Sequence, residues 1–171
     1  QVKIFNEIFN NQNETKLTNL YGPTEATVDV SYFNCCSNKN LEKIPIGKPI
    51  DNTQLYIITE NLKLQSLGIV GELCISGAGL GAGYLNNPIL TEENFVNNPN
   101  MLSEGFYKTG DLARWLSDGN IEFLGRIDDQ VKVRGYRIEL GEIESQLLSV
   151  QFIREAIVIA KERDGDKYLC A

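Results

Sequence analysis

The residues able to do chemistry in this sequence cluster where charged side chains follow glycine. The stretch Gly105–Glu144, GFYKTGDLARWLSDGNIEFLGRIDDQVKVRGYRIELGEIE, holds the densest such set. Within it, Gly125 precedes Arg126, Ile127, Asp128 and Asp129, one cation and two carboxylates at a point where the chain can bend. Charges so placed cannot be buried unpaired, which makes the segment a candidate hinge or site. Upstream, Gly22-Pro23-Thr24-Glu25 closes a strand with a turn of fixed backbone that presents a hydroxyl and a carboxylate. Taken alone, Thr24 and Glu25 also read as an ordinary helix start. Gly77, Gly79, Gly81 and Gly83 alternate in GAGLGAGYL, where bare backbone N–H groups could cradle an anion. The spacing is neither GxGxxG nor GxxxxGK[ST], so the loop reads as structural.

Composition narrows the classes of function. The chain has 171 residues, 42% hydrophobic and 23% charged, enough to build a core. Its net charge of −7 argues against a binder of nucleic-acid backbone but leaves room for a small anionic ligand. There is no histidine, which removes Ser-His-Asp and Cys-His catalysis within this chain. The four cysteines, Cys35, Cys36, Cys74 and Cys170, have no CxxC spacing, so neither a common zinc site nor a disulfide framework is expected. No apolar run approaches the roughly 20 residues of a membrane span, and no signal peptide opens the chain. These features describe a soluble, cytoplasmic protein with no membrane partner. A start at Gln1 and an end inside a strand-like run suggest a piece of something longer.

Several elements would position those residues. The spacing of Val2, Phe5, Ile8 and Phe9 predicts a short helix. Strands are expected at Lys16–Tyr21, Thr27–Phe33, Thr53–Thr59 and Gly71–Ser76, with the proline-rich Ile44–Ile50 as an extended edge. No helix separates the later strands, which points to an antiparallel sheet or small barrel. A helix is expected at Pro88–Val96, with Thr91 as its cap. Strands at Leu112–Trp115, Ile121–Leu124 and Gln130–Val133 follow, the first two forming a hairpin around Ser117–Asn120. A helix at Leu140–Val150, a buried strand at Ala156–Ala160 and a pairing strand from Lys167 complete the chain.

The order and spacing of four motifs carry more than any one of them. NLYGPTE (19–25), GELCISGAGLGAGYL (71–85), YKTGDL (107–112) and GRIDDQVKVRGYRIELGEIE (125–144) resemble consecutive signatures of the adenylate-forming enzymes. More narrowly, they look like the amino-acid adenylation domain of a nonribosomal peptide synthetase; PIGKPI (45–50) and Leu90, Thr91 and Phe95 fit the same pattern. The resemblance implies an α+β fold: the C-terminal part of the large adenylation subdomain over 1–126, barrel-like and mainly antiparallel from residue 40, then the start of a small α/β subdomain over 127–171. It implies that the enzyme converts an amino acid and ATP to an aminoacyl adenylate and passes the acyl group to the phosphopantetheine thiol of a peptidyl carrier domain, among neighbouring synthetase domains. The first step sets an anionic carboxylate against a triphosphate, so charge must be neutralised and reactants aligned.

By motif position, Tyr21 would stack on adenine with Asn19 near its amino edge, and Asp111 would accept the ribose hydroxyls. Thr24 would donate to the α-phosphate, Glu25 would hold Mg²⁺, Phe123 would lie against the nucleoside, and Arg126 would reach ribose or phosphate. Leu20, Val28 and Asp29 would line the side-chain pocket, and a buried Asp29 would favour a polar or basic amino acid. Asp128 would be the pivot of the small subdomain, with Gly135 leaving room for the pantetheine arm in the thioester-forming orientation. Alternatives are an acyl-CoA or aryl-CoA ligase and an inactive nucleotide-binding fragment. Ala82 stands where the family usually has arginine. The family's phosphate loop and catalytic lysine have no counterpart in the chain, so the 171 residues alone are expected to show no adenylation. Amino-acid-dependent ATP–pyrophosphate exchange by the isolated chain would contradict that.

Overall fold

The computed structural model describes residues 15–35, 43–97, 105–163 and 166–171. The expected helix at Val2–Phe9 lies outside them. The chain separates into two compact units, Gln1–Gly125 and Arg126–Ala171.

The first unit is built on antiparallel pairing. Strands β1 (Thr18–Tyr21), β2 (Ser31–Asn34) and β3 (Lys48–Pro49) form a three-stranded sheet in that order. Strands β4 (Thr53–Ile58), β5 (Gly71–Gly77), β6 (Phe95–Val96), β7 (Phe106–Trp115) and β8 (Ile121–Arg126) form a second sheet, ordered β4-β5-β7-β6 with β8 also on β7. An isolated antiparallel bridge between Gly47 and Ile121 joins the sheets, with the Ile121 N–H donating to the Gly47 carbonyl at 2.8 Å.

β5 explains where the core sits. Its run Leu73-Cys74-Ile75-Ser76 is buried on both faces, which is why it reads as continuous rather than alternating. Leu73 and Ile75 pack with Leu55, Ile57, Tyr107, Ala113 and Ile121, while Cys74 packs with Ile58 and Phe106 on the other face. Full burial of each Leu or Ile side chain contributes about 1.5–3 kcal/mol, so this strand anchors the unit. Burial also drives the Cys74 thiol far up from its ordinary range, leaving it protonated and inert.

Two local expectations in this unit need correcting. The strand expected from Thr27 begins only at Ser31, because Thr27 and Val28 adopt left-handed φ values of 56° and 74°. Gly22 sets this up: a Cβ there would lie 2.1 Å from the Val28 carbonyl oxygen, so only a bare backbone lets the turn fold back. The helix α1 (Pro88–Asn94) is capped not by Thr91 but by Asn87, whose side chain accepts from the Leu90 N–H, with Pro88 in the first turn. Thr91 sits inside the helix, and its hydroxyl accepts from the Tyr84 N–H at 2.9 Å.

The second unit contains the hairpin β9 (Val131–Val133) and β10 (Tyr136–Ile138), helix α2 (Leu140–Leu148), and the antiparallel pair β11 (Ile159–Arg163) and β12 (Asp166–Cys170). The two-residue turn of the hairpin, Arg134 and Gly135, has φ of 51° and 85°, the left-handed pair that matches strand twist. The strand expected at Ala156–Ala160 starts three residues later: the Val158 N–H donates to Glu144 Oε1 on α2 at 2.8 Å, so that stretch is held by the helix before pairing begins. Ile157 is 75% exposed, so the segment is not the buried strand its apolar sequence suggests.

Replacing Gly22 by alanine should destabilise the full-length protein by at least about 2 kcal/mol, since the clash is with backbone that cannot rotate away. Urea denaturation followed by tryptophan fluorescence would measure it.

Candidate functional site

Two places gather the residues singled out from sequence, one in each unit. In the first unit, β1 delivers Asn19 and Tyr21, and the turn after it, a short 3₁₀ helix at Thr24–Ala26, delivers Thr24 and Glu25. The Asn19 amide donates to the Pro45 carbonyl at 2.8 Å, fixing β1 against the proline-rich edge. The Tyr21 hydroxyl donates to Asp111 Oδ2, and its ring packs on the core.

Asp111 sits beside a distortion of β7. Between the pairs Glu72↔Leu112 and Cys74↔Lys108, Leu73 alone faces Thr109, Gly110 and Asp111. Gly110 takes φ of 71° at this bulge, and its N–H donates to Glu72 Oε1. The Thr109 hydroxyl donates to the Leu73 carbonyl at 2.7 Å and accepts from the Asp111 N–H at 3.0 Å. The TGD triplet is therefore a bulged strand segment rather than a turn, and bulges are common beside functional groups. Asp111 ends up 8% exposed.

The glycine-rich loop clasps the Thr24–Thr27 turn. The Gly81 N–H donates to the Glu25 carbonyl at 2.8 Å, and the Thr27 hydroxyl donates to the Gly79 carbonyl at 2.6 Å. Cβ atoms on Gly79 or Gly81 would stand 3.3 Å from the carbonyls of Ala26 and Glu25, so the absent side chains permit the approach. Beyond the loop, the Tyr84 hydroxyl donates to Glu25 Oε1 at 2.7 Å. Tyr84, directly after the glycines, is not among the residues that the sequence motifs single out.

Phe123 lies on β8, on the same face as the buried Ile121 but 38% exposed. Leu20 and Val28 are 54% and 69% exposed and Asp29 is half-buried.

In the second unit, Arg126 and Asp128 form a two-pronged ion pair, with Nε to Oδ1 at 2.6 Å and Nη2 to Oδ2 at 2.5 Å. Asp128 Oδ1 also accepts from the Gln130 N–H at 3.2 Å. The Arg126 guanidinium holds the Asp128 carboxyl below its ordinary value of 3.8. Just before the pair, Gly125 has φ of 127° with open space around it. Gly135 has φ of 85° in the hairpin turn, so the backbone alone calls for glycine there.

Among the described residues no three His, Cys, Asp or Glu side chains gather as a metal cage. A lone carboxylate such as Glu25 still suits Mg²⁺, which is commonly held by one or two carboxylates together with substrate phosphates. No helix among the described residues is long and apolar enough to cross a membrane.

Comparison with known proteins follows the same lines. Residues 2–85 match the family model described as AMP-binding enzyme. The chain is 54% identical over 162 residues to tyrocidine synthase 1 of Brevibacillus parabrevis, covering 94% of this chain and 15% of that protein. It is 56% identical over 157 residues to bacitracin synthase 1 of Bacillus licheniformis, covering 91% of this chain and 3% of that protein. The chain thus spans a small part of the length of these relatives. It superposes with TM-score 0.85 and 32% identity on holo-PA1221, a nonribosomal peptide synthetase protein containing adenylation and carrier domains, over 99% of this chain and 30% of that one. It also matches the Vibrio cholerae adenylation domain AlmE, solved with glycyl-adenosine-5'-phosphate, at TM-score 0.81 and 29% identity over 98% of this chain and 33% of that one. The chain belongs to the AMP-binding, adenylate-forming enzymes. Within them, its homologues are the adenylation domains of nonribosomal peptide synthetases, and its mixed, mostly antiparallel fold is theirs.

The lowered Asp128 value gives a titration test. A depressed carboxylate adds stability above its unfolded pKa, which is lost as pH falls through the folded value. In a carbon-detected NMR titration Asp128 should protonate below pH 3.8, and Arg126→Gln should return it toward that value. Because the pair is partly exposed, its loss should change stability by less than about 1 kcal/mol.

Proposed function

We propose that the protein containing this chain activates an amino acid with ATP as an aminoacyl adenylate in the cytoplasm, then transfers it to the phosphopantetheine thiol of a peptidyl carrier domain within a synthetase. The observation that carries this reading is the convergence of Tyr21 and Asp111 from separate strands in a chain homologous throughout to adenylation domains. An aromatic face beside a well-oriented carboxylate is what a nucleoside requires: a stacking surface for the base and an acceptor for the ribose hydroxyls.

In this reading Tyr21 stacks on adenine, Asn19 lies at its amino edge, Phe123 flanks the nucleoside and Asp111 takes the ribose hydroxyls. Thr24, exposed at the head of the 3₁₀ turn, donates to the α-phosphate. Glu25 holds Mg²⁺, which when bound offsets phosphate charge. Arg126 is the cation for ribose or phosphate, and it leaves Asp128 to take up that contact. Fixed donors and charges aimed at the phosphates lower the barrier because they need not reorient during reaction. Gly125 and Asp128 supply the pivot between subdomains 1–126 and 127–171, since a few backbone dihedrals suffice for a hinge. Gly135 faces the pantetheine arm after the swing. Leu20, Val28 and Asp29 border the amino-acid side chain.

Amino-acid-dependent ATP–pyrophosphate exchange by the full-length protein tests the reading. Asp111→Ala should lower kcat/KM for ATP roughly hundredfold, with KM for the amino acid little changed. Adenylation of fatty or aryl acids with transfer to coenzyme A, and no response to any amino acid, would favour the acyl-CoA ligase alternative instead.

A further inference from the structure

Glu25 is held at both ends by the loop that follows β5. Its carbonyl accepts from the Gly81 N–H, and its carboxylate accepts from the Tyr84 hydroxyl. Tyr84 is in turn built in place. Its N–H donates to Thr91 Oγ1 at 2.9 Å, and that hydroxyl donates to the Asn87 carbonyl at 2.9 Å. Its ring stands edge-on to Phe95, with centroids 5.7 Å apart and planes at 76°. Phe95 packs against Tyr107, with centroids 5.1 Å apart, and Tyr107 is 2% exposed in the core. The Tyr107 hydroxyl lies 3.5 Å from that of Tyr84. Gly83 keeps the corner tight: a Cβ there would come within 2.4 Å of the Thr91 methyl.

We propose that Tyr84 is a positioning residue, whose hydroxyl fixes the Glu25 carboxylate in the orientation that receives the divalent cation. This rests on the reading of Glu25 as the Mg²⁺ holder. A glutamate side chain has three rotatable bonds, and a firm donor at Oε1 restricts them before metal arrives. A hydrogen bond to a charged group of this kind is worth roughly a ten- to hundredfold change in an equilibrium.

The test uses the full-length protein with ATP, titrated with Mn²⁺ and followed by electron paramagnetic resonance. Tyr84→Phe keeps the ring contacts and removes only the donor, so its thermal midpoint should stay near wild type. Mn²⁺ affinity should fall about tenfold, the Mg²⁺ concentration for half-maximal pyrophosphate exchange should rise in parallel, and KM for the amino acid should not move. Glu25→Gln is the control. If it weakens Mn²⁺ binding while Tyr84→Phe does not, the positioning role is overturned and the Glu25 reading survives. If neither variant changes Mn²⁺ affinity, the reading of Glu25 fails and takes the proposal with it.

Discussion

A nearly buried carboxylate must be paired, and Asp111 is paired by the hydroxyl of Tyr21, a residue ninety positions away in the chain. Much of the first unit can be understood as what makes that meeting possible. β1 has to present Tyr21 on the correct side, which the β1–β2 register and the Asn19–Pro45 bond secure. β7 bulges beside Asp111, where Gly110 permits the distortion and Glu72 and Leu73 hold it in place, while Asp111 stays in step with the buried Tyr107, Thr109 and Ala113. The bond is local, while the conditions for it extend through both sheets.

The glycine-rich loop has a related part. The Gly81 N–H and the Gly79 carbonyl bond to the turn bearing Glu25, so the missing side chains at these two glycines allow backbone to lie against backbone. Gly79 and Gly81 are therefore accounted for by contact with that turn, while Gly77 lies against Asn52 and Gly83 against Thr91. The second unit shows the complementary case: Arg126 and Asp128 satisfy each other two residues apart, a pairing that needs no help from distant strands.

What could be read from sequence follows from how far each cause reaches. β4 and β5 were legible because β-branched and apolar runs bounded by turn residues report their own burial. Asp111, Tyr21 and Glu25 were legible as motif positions, but the bulge beside Asp111 was not, since it depends on one residue of β5 facing three of β7. Thr27 and Val28 misled for a similar reason: β-branched residues rarely take left-handed φ, and here a contact at Gly22 requires it. Tyr84 was missed because a side-chain bond across fifty-nine residues leaves no periodicity. The late start of β11 came from a single helix carboxylate, Glu144, competing for the Val158 N–H.

β5 is both the fully covered central strand and the stalk of the glycine-rich loop, which constrains how the chain can change length. One residue inserted between Gly71 and Gly77 would exchange the two faces of the strand and advance the loop by about 3.3 Å, out of reach of Glu25. The exposed tip at Ser117–Asn120 carries no such linkage. Insertions and deletions among relatives should therefore collect at that tip and be absent from β5, leaving the distance along the chain from Gly71 to Tyr84 as a fixed ruler.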